Sequence, residues 1–269
     1  MSSAIGIIGC GWLGLPLARV LLEKDYQIYG STTSEGKLAE IKKQGIIPFR
    51  IVLGEDNIEG SISKFLAPLE ILIINVPPKL RGKHKENYVR KMELLYAAIM
   101  STGIKKIVFI SSTSVYGDIQ GEVTEDTPAI PTTASGKQLL MAEELFRKAK
   151  NIKVTILRFG GLTGPGRHPI SFLAGRKGLE NGSDYVNLIH LNDCIGMIVF
   201  VLQNNYWNDT FNGVFPDHPL KSEYYTSEAL KRGLPAPEYV LKKSEKHGKL
   251  IKSKNILNKN YVFSTPITQ

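Results

Sequence analysis

The feature that most constrains this chain is Gly9-x-Gly11-x-x-Gly14, which directly follows the apolar stretch Ala4–Ile8 and opens a helical pattern from Trp12 to about Glu23. Each glycine has a separate physical role at this spacing. Gly9 permits the tight turn, Gly11 lets backbone approach a pyrophosphate, and Gly14 lets the helix pack closely on the strand. The N–H groups of a helix start are unpaired and, with the helix dipole, attract phosphate. Strand, glycine turn and helix in one unit predict a dinucleotide site lined by Gly9, Cys10, Gly11, Trp12, Leu13 and Gly14.

The next apolar stretch, Gln27–Gly30, leads into Ser31-Thr32-Thr33-Ser34, with Lys37 a turn later. Dinucleotide folds that take NAD commonly place an acid here for the ribose 2′-hydroxyl. Small hydroxyls at Ser31, Thr32 and Thr33 leave room for a 2′-phosphate instead, so NADP(H) is favoured over NAD(H), although no arginine is in the loop. A serine- and threonine-rich loop would equally cap the following helix.

Further strands are predicted around 47–52, 70–76, 106–110 and 153–159, alternating with helices at 37–44, 87–101 and 135–150. The segment 55–68 reads as irregular with one helical turn. Stretch 70–76 is apolar almost throughout, as a strand buried on both faces should be. It stops at Asn75-Val76-Pro77-Pro78, where proline ends ladder bonding. A basic loop, 79–86, contains His84. This alternation predicts an α/β, doubly wound parallel sheet (Rossmann). Ligands bind at the carboxyl ends of such strands, which adds Asn75, Pro77 and Ser111 to the cofactor candidates. After Gly166 the pattern breaks, then returns with a helix after Asp193 and a strand near 210–214. The expected division is a dinucleotide-binding domain (1–166 plus 187–215) and a smaller, discontinuous substrate lobe (167–186 plus 216–269).

Composition excludes several classes. At 269 residues, with 42% hydrophobic and 22% charged residues, the chain can bury a full core. No apolar run is long enough for a membrane span, and no secretory leader is recognisable. Two cysteines, Cys10 and Cys194, make no disulfide framework. A cytoplasmic location is expected. The net charge is +9, with ten Lys or Arg against four Glu in residues 221–269. These lysines are scattered and carry no nucleic-acid motif, so a solvated basic surface is expected rather than a nucleic-acid partner. The five histidines show no metal-ligand spacing. The partner expected is a small-molecule substrate; oligomeric state is not legible.

Five stretches together resemble the extended short-chain dehydrogenase/reductases, in the NAD(P)-dependent epimerase/dehydratase branch: residues 11–14, Ser111-Ser112-Thr113-Ser114-Val115-Tyr116-Gly117, Ser135-Gly136-Lys137, residues 157–165 and His190-Leu191-Asn192-Asp193. That resemblance implies a nicotinamide cofactor and chemistry on nucleotide sugars. It also implies a catalytic Ser or Thr, a Tyr acid/base, and a Lys four residues after the Tyr. Ser112 falls on the first of these positions. Gly136, Ala142, Glu143 and Glu144 set a register that puts Ser135 at the tyrosine and Leu139 at the lysine. A rival register puts Lys137 on the lysine and Thr133 on the tyrosine. Neither register supplies a tyrosine, and a serine hydroxyl is a poor acid/base near neutral pH. Ser135-x-x-Gln138 also reads as a helix capping box. Tyr116 is expected beneath its loop, Asp193 as a helix N-cap, and His190 in a structural hydrogen bond. Two functions follow: an oxidoreductase or epimerase acting on a nucleotide-sugar-like or other small carbonyl/hydroxyl compound, or a non-catalytic NADP(H)-binding sensor.

Overall fold

A computed structural model describes residues 3–78, 86–240 and 247–268. Most of loop 79–86, with His84, lies outside the described residues. The chain order is β1 (Ala4–Ile8), α1 (Gly14–Leu22), β2 (Gln27–Thr32), α2 (Leu38–Lys43), β3 (Ile47–Leu53), β4 (Ile58–Gly60), α3 (Ile62–Leu66) and β5 (Ile71–Ile74). It continues through α4 (Tyr88–Met100), β6 (Lys106–Ser112), β7 (Gly121–Val123), α5 (Ala134–Arg147), β8 (Lys153–Phe159), β9 (Gly161–Thr163) and α6 (Ile170–Leu173). Last come β10 (Leu188–His190), α7 (Leu191–Gln203), β11 (Thr210–Gly213), α8 (Lys221–Lys231), β12 (Lys249–Ile251) and α9 (Lys254–Leu257).

Eight strands form one sheet in the order β11-β8-β6-β5-β1-β2-β3-β4. Every pairing in it is parallel except β3 with β4. The antiparallel β4 lies in the stretch expected to be irregular; at three residues it is too short to show a period. From β1 the chain steps outward to β2 and β3, then returns to β5 on β1's other side and steps the opposite way. The crevice at the carboxyl ends of β1 and β5 is therefore the topological switch point, where such sheets take ligands.

Alternation along the strands sends apolar residues to both faces. Ile5, Ile7 and Ile73 meet Leu17 and Leu21 of α1, Ile41 of α2 and Met197, Ile198 and Val201 of α7. Ile8, Leu72 and Ile74 meet Phe65 of α3, Met92, Leu95 and Ile99 of α4 and Phe146 of α5. This two-sided burial is why β5 carries no polar residue. A third cluster, including Ile170, Val186, Leu188, Tyr224, Tyr225 and Ile267, lies between α6 and α8. Ile251 and Ile256, near the end of the chain, instead join the two cores of the sheet. Parallel pairs β9–β10 and β7–β12 connect the late segments to the carboxyl edge.

Candidate functional site

At the switch point, Gly9 has φ +100°, and a Cβ there would lie 2.5 Å from the Asn75 carbonyl oxygen. A Cβ on Gly14 would lie 2.2 Å from the Gly9 carbonyl oxygen. Two side chains hold this turn from behind: Ser31 Oγ accepts from the Gly9 N–H (3.1 Å), and Asn75 Nδ2 donates to the Gly9 carbonyl (3.0 Å). Above the turn the geometry is open. Nothing lies within 4 Å of a Cβ built on Gly11. Among the described residues, the N–H groups of Gly11, Trp12 and Leu13 have no hydrogen-bond partner. Unpaired donors at a helix start, beside free space, fit a dinucleotide pyrophosphate.

Other loop side chains face elsewhere. Cys10 and Leu13 are buried in the core, so they can offer only backbone to a ligand. Burial pushes the Cys10 thiol up to about 12, which makes it unreactive near neutrality. Trp12 Nε1 donates to the Pro165 carbonyl (2.8 Å), and the Arg167 guanidinium lies 5.0 Å from its ring centroid. The aromatic residue of the loop thus ties the 164–167 turn over the start of α1.

At the end of β2, Ser31 is 2% exposed and faces inward, while Thr32 and Thr33 reach the surface. The Thr32 hydroxyl accepts from the Ser34 N–H (3.2 Å). Sequence reasoning finds no arginine in this loop, but the fold brings one from β3. Arg50 pairs in register with Thr32, so both side chains lie on one face. Its guanidinium contacts Glu59 (3.1 Å) and, more loosely, Glu35 (3.7 Å). Lys37 and Gly11 line a hollow of about 290 Å³ between α1 and α2.

At the end of β6, the two serines diverge. Ser111 is buried, and its hydroxyl donates to Glu143 Oε1 (2.6 Å). Glu143 is also bound by Arg158 through Nε (3.0 Å) and Nη2 (2.6 Å). The Ser111 hydroxyl is therefore occupied within the core, which leaves its backbone to face a ligand. Ser112 is partly exposed; its hydroxyl accepts from the Ser114 N–H (3.2 Å) and keeps its own proton to donate. Tyr116 is buried under this loop, with its hydroxyl on Asn212 Oδ1 (2.8 Å) and Arg158 over its ring.

The start of α5 packs against the same loop, since a Cβ on Gly136 would lie 2.5 Å from the Ser114 carbonyl oxygen. Ser135 is not its cap. Thr133 takes that role, accepting from the Gly136 N–H (3.1 Å), and Gln138 turns away to accept from the Tyr88 N–H (2.6 Å) at the start of α4. The expected capping box is absent because an earlier hydroxyl already satisfies the orphan N–H. The Ser135 hydroxyl has no protein partner among the described residues. Leu139 is 4% exposed and sits in the core, so the lysine position of the preferred register is apolar. Asp193 is likewise not an N-cap. His190 caps α7, with Nδ1 accepting from the Asn192 N–H (3.2 Å). Asp193 is fully buried and accepts from the Ser264 N–H (2.7 Å) and the Thr265 N–H (3.0 Å), which pins the end of the chain.

A cleft of about 690 Å³ opens beside this loop, walled among others by Thr113, Gly117 and Asp118, by residues 180–181 and 183–188, and by Lys221, Tyr225 and Lys249. Lys249 was not foreseen. It lies 132 residues from Gly117, yet its Nζ donates to the Gly117 carbonyl (2.7 Å); only the β7–β12 pairing reveals the proximity. Among the described residues, no group of three or more His, Cys, Asp or Glu is placed to hold a metal, and no helix is long and apolar enough to cross a membrane.

Comparison with known proteins agrees with this geometry. The sequence matches the NAD dependent epimerase/dehydratase family over residues 5–212. It is 34% identical to Protein YeeZ of Escherichia coli (strain K12) over 98% of this chain and 97% of that one. In fold it is similar to UDP-glucuronic acid 4-epimerase from Bacillus cereus in complex with NAD (TM-score 0.82, 19% identity, 98% of this chain and 93% of that one). A short-chain dehydrogenase/reductase superfamily protein from Agrobacterium tumefaciens with bound NAD is also similar (TM-score 0.74, 18% identity, 95% and 90%). A glycine turn with free donors at the switch point, a hydroxyl loop at the end of β6 and a sequence match across most of the chain lead to one conclusion: this chain belongs to the NAD dependent epimerase/dehydratase family.

Proposed function

We propose that this chain binds NADP(H) in preference to NAD(H) at residues 9–14 and acts as an oxidoreductase or epimerase on a nucleotide-sugar-like or other small carbonyl/hydroxyl compound. The observation that carries the reading is the row of unpartnered N–H groups on Gly11, Trp12 and Leu13 beside open space. The family match and the NAD named with the similar B. cereus enzyme support the cofactor class. The 2′-phosphate is assigned to Thr32, Thr33 and Arg50; no carboxylate ends β2, and Arg50 would exchange its contacts with Glu35 and Glu59 for the phosphate. Asn75 and Ser31 act by shaping the turn, and Pro77 by ending the strand beside it. The substrate cleft belongs to the smaller lobe, residues 167–186 and 216–269. Ser112, adjacent in sequence to the Thr113 wall of that cleft, donates a hydrogen bond to the reacting carbonyl. Both cysteines are free and buried, in keeping with a cytoplasmic protein.

A second reading is a non-catalytic NADP(H) sensor. It is favoured by one specific observation, the burial of Leu139 in the core where the register puts the family's lysine.

Thermal melting with each cofactor tests the first step. Ligand at a hundred times its Kd should add about 2.7 kcal/mol of stability. Arg50→Ala should weaken NADP(H) by roughly tenfold to a hundredfold, the worth of a hydrogen bond to a charged group, and leave NAD(H) unchanged. Equal loss for both cofactors would remove Arg50 from 2′-phosphate recognition. Absence of any stabilisation by either cofactor rejects both functional readings. Nicotinamide absorbance during a screen of nucleotide sugars separates the two: turnover that Ser112→Ala depresses supports the enzyme, and binding without turnover the sensor.

A further inference from the structure

The cleft beside the Thr113–Gly117 loop contains a lysine, Lys249, that forms no ion pair among the described residues. Lys249 Nζ donates to the Gly117 carbonyl (2.7 Å) and, at the outer limit of a hydrogen bond, to the Thr113 carbonyl (3.5 Å). No carboxylate among the described residues pairs with it. The acids around it have other partners. Asp184 is bound by Lys221 (2.9 Å) and by the Gly248 N–H (3.0 Å), and Asp118 is exposed and accepts from Thr132 (2.8 Å). Lys221, the cleft's other lysine, is thus neutralised, and Lys249 is not. A half-buried ammonium hydrogen-bonded only to neutral carbonyls is costly to desolvate; that burial lowers the Lys249 pKa, opposed by the charge of Asp118 and reinforced by that of Lys221.

The strand that carries Lys249 is fixed in place. Asn187 brackets it, donating to the Lys249 carbonyl (2.9 Å) and accepting from the Ile251 N–H (2.9 Å), while Lys249 itself pairs with Gly121 of β7. The side chain therefore projects from a preorganised backbone to the residue next to Ser112. We infer that Lys249 anchors an oxyanion of the substrate, a carboxylate or a phosphate, at the end of the cleft beside Thr113 and Gly117. It rests on the reading of this cleft as the substrate site but does not require turnover.

Reductive methylation of the full-length protein, followed residue by residue by mass spectrometry, tests it. The rate at Lys249 is measured with inorganic phosphate, glucuronate, glucose 6-phosphate or glucose at constant ionic strength, with the exposed Lys24 as internal reference. An anion at ten times its Kd should slow labelling of Lys249 about elevenfold, without slowing Lys24, and glucose should have no effect. Glucuronate and glucose 6-phosphate distinguish a carboxylate from a phosphate as the preferred group. No protection by any anion, protection by glucose equal to theirs, or equal slowing at Lys24 overturns the inference. As a second readout, melting-temperature gains from the protecting anion should survive in Lys249→Arg and vanish in Lys249→Met. If Lys249 is protected but no nicotinamide turnover is ever found, the enzyme reading fails and the anchor stands. Turnover of nucleotide sugars without protection of Lys249 has the reverse meaning.

Discussion

Gly11 and Gly14 sit three residues apart in one turn, yet substitution should affect them in different ways. A Cβ on Gly14 meets the Gly9 carbonyl oxygen at 2.2 Å, so Gly14→Ala must push the helix off the strand. Such overpacking costs about 1–3 kcal/mol, and urea unfolding should record it together with loss of cofactor binding. A Cβ on Gly11 meets nothing within 4 Å. Gly11→Ala should therefore unfold like the wild type and, if the proposed site is right, still lose NADP(H), because the methyl would enter the space proposed for the pyrophosphate. Unchanged binding in Gly11→Ala would show that the phosphates lie elsewhere. This contrast was legible in the sequence, since the jobs of the three glycines follow from local spacing alone. The roles of Ser31 and Asn75 were not legible. Their bonds to Gly9 carry no sequence signal, because which way a side chain faces at a strand end depends on what packs behind it. Arg50 was hidden for a related reason, because only the β2–β3 register sets it beside Thr32.

On the scale of elements, three neighbouring strands align a polar row in the middle of an apolar sheet. Ser111, Arg158 and Asn212 stand side by side in register on β6, β8 and β11. Glu143 of α5 and Tyr116 close the row from above through the bonds already described. Asn212 extends it, its N–H donating to Glu125 Oε1 (2.8 Å). Glu143→Ala would strand the Arg158 guanidinium, and removing one partner of a buried pair costs about 3–5 kcal/mol. Glu143→Gln keeps an acceptor and should cost less. Chemical denaturation of both variants decides the point, and a loss below 1 kcal/mol in Glu143→Ala would mean that water or Tyr116 replaces the carboxylate. Sequence periodicity located α5 and β8 but not this pairing, since polar residues inside a strand carry no sign of their partners. Helix starts were obscured by competing caps. Ser135-x-x-Gln138 has the form of a capping box, while Thr133 occupies the geometry and Gln138 caps α4.

Taken as a whole, the molecule joins a sheet whose pattern was readable to a smaller cluster whose pattern was not. The cluster around α6 and α8 is assembled from 170, 186–188, 224–229 and 267, segments too short and scattered to show a period. The basic residues of the later chain are partly paired with acids, as in Lys221–Asp184 and Lys254–Asp126, as suits a solvated surface. At the edge of this cluster lies His168. Its Nδ1 accepts from the Ile170 N–H (3.2 Å), which assigns the ring proton to Nε2, 3.0 Å from the Tyr224 hydroxyl. The Tyr224 hydroxyl in turn donates to the Ile267 carbonyl (2.9 Å), so a neutral imidazole completes the chain of bonds. Burial, reinforced by Arg232 and opposed by Glu228, lowers the His168 pKa to about 4. Unfolded histidine protonates near 6.5, so between about pH 6.5 and 4 the unfolded chain binds the extra proton and the folded one does not. Stability must rise with pH across that window and fall on acidification, by up to about 3 kcal/mol for a gap of this size. Other groups titrate in the same range, but comparison with His168→Gln cancels them to first order. The wild type should lose stability faster than His168→Gln as pH drops from 6.5 to 4, and the two curves should run parallel above pH 7. Parallel curves throughout would mean that the ring accepts its proton in the folded state, with Glu228 at 3.6 Å prevailing over burial.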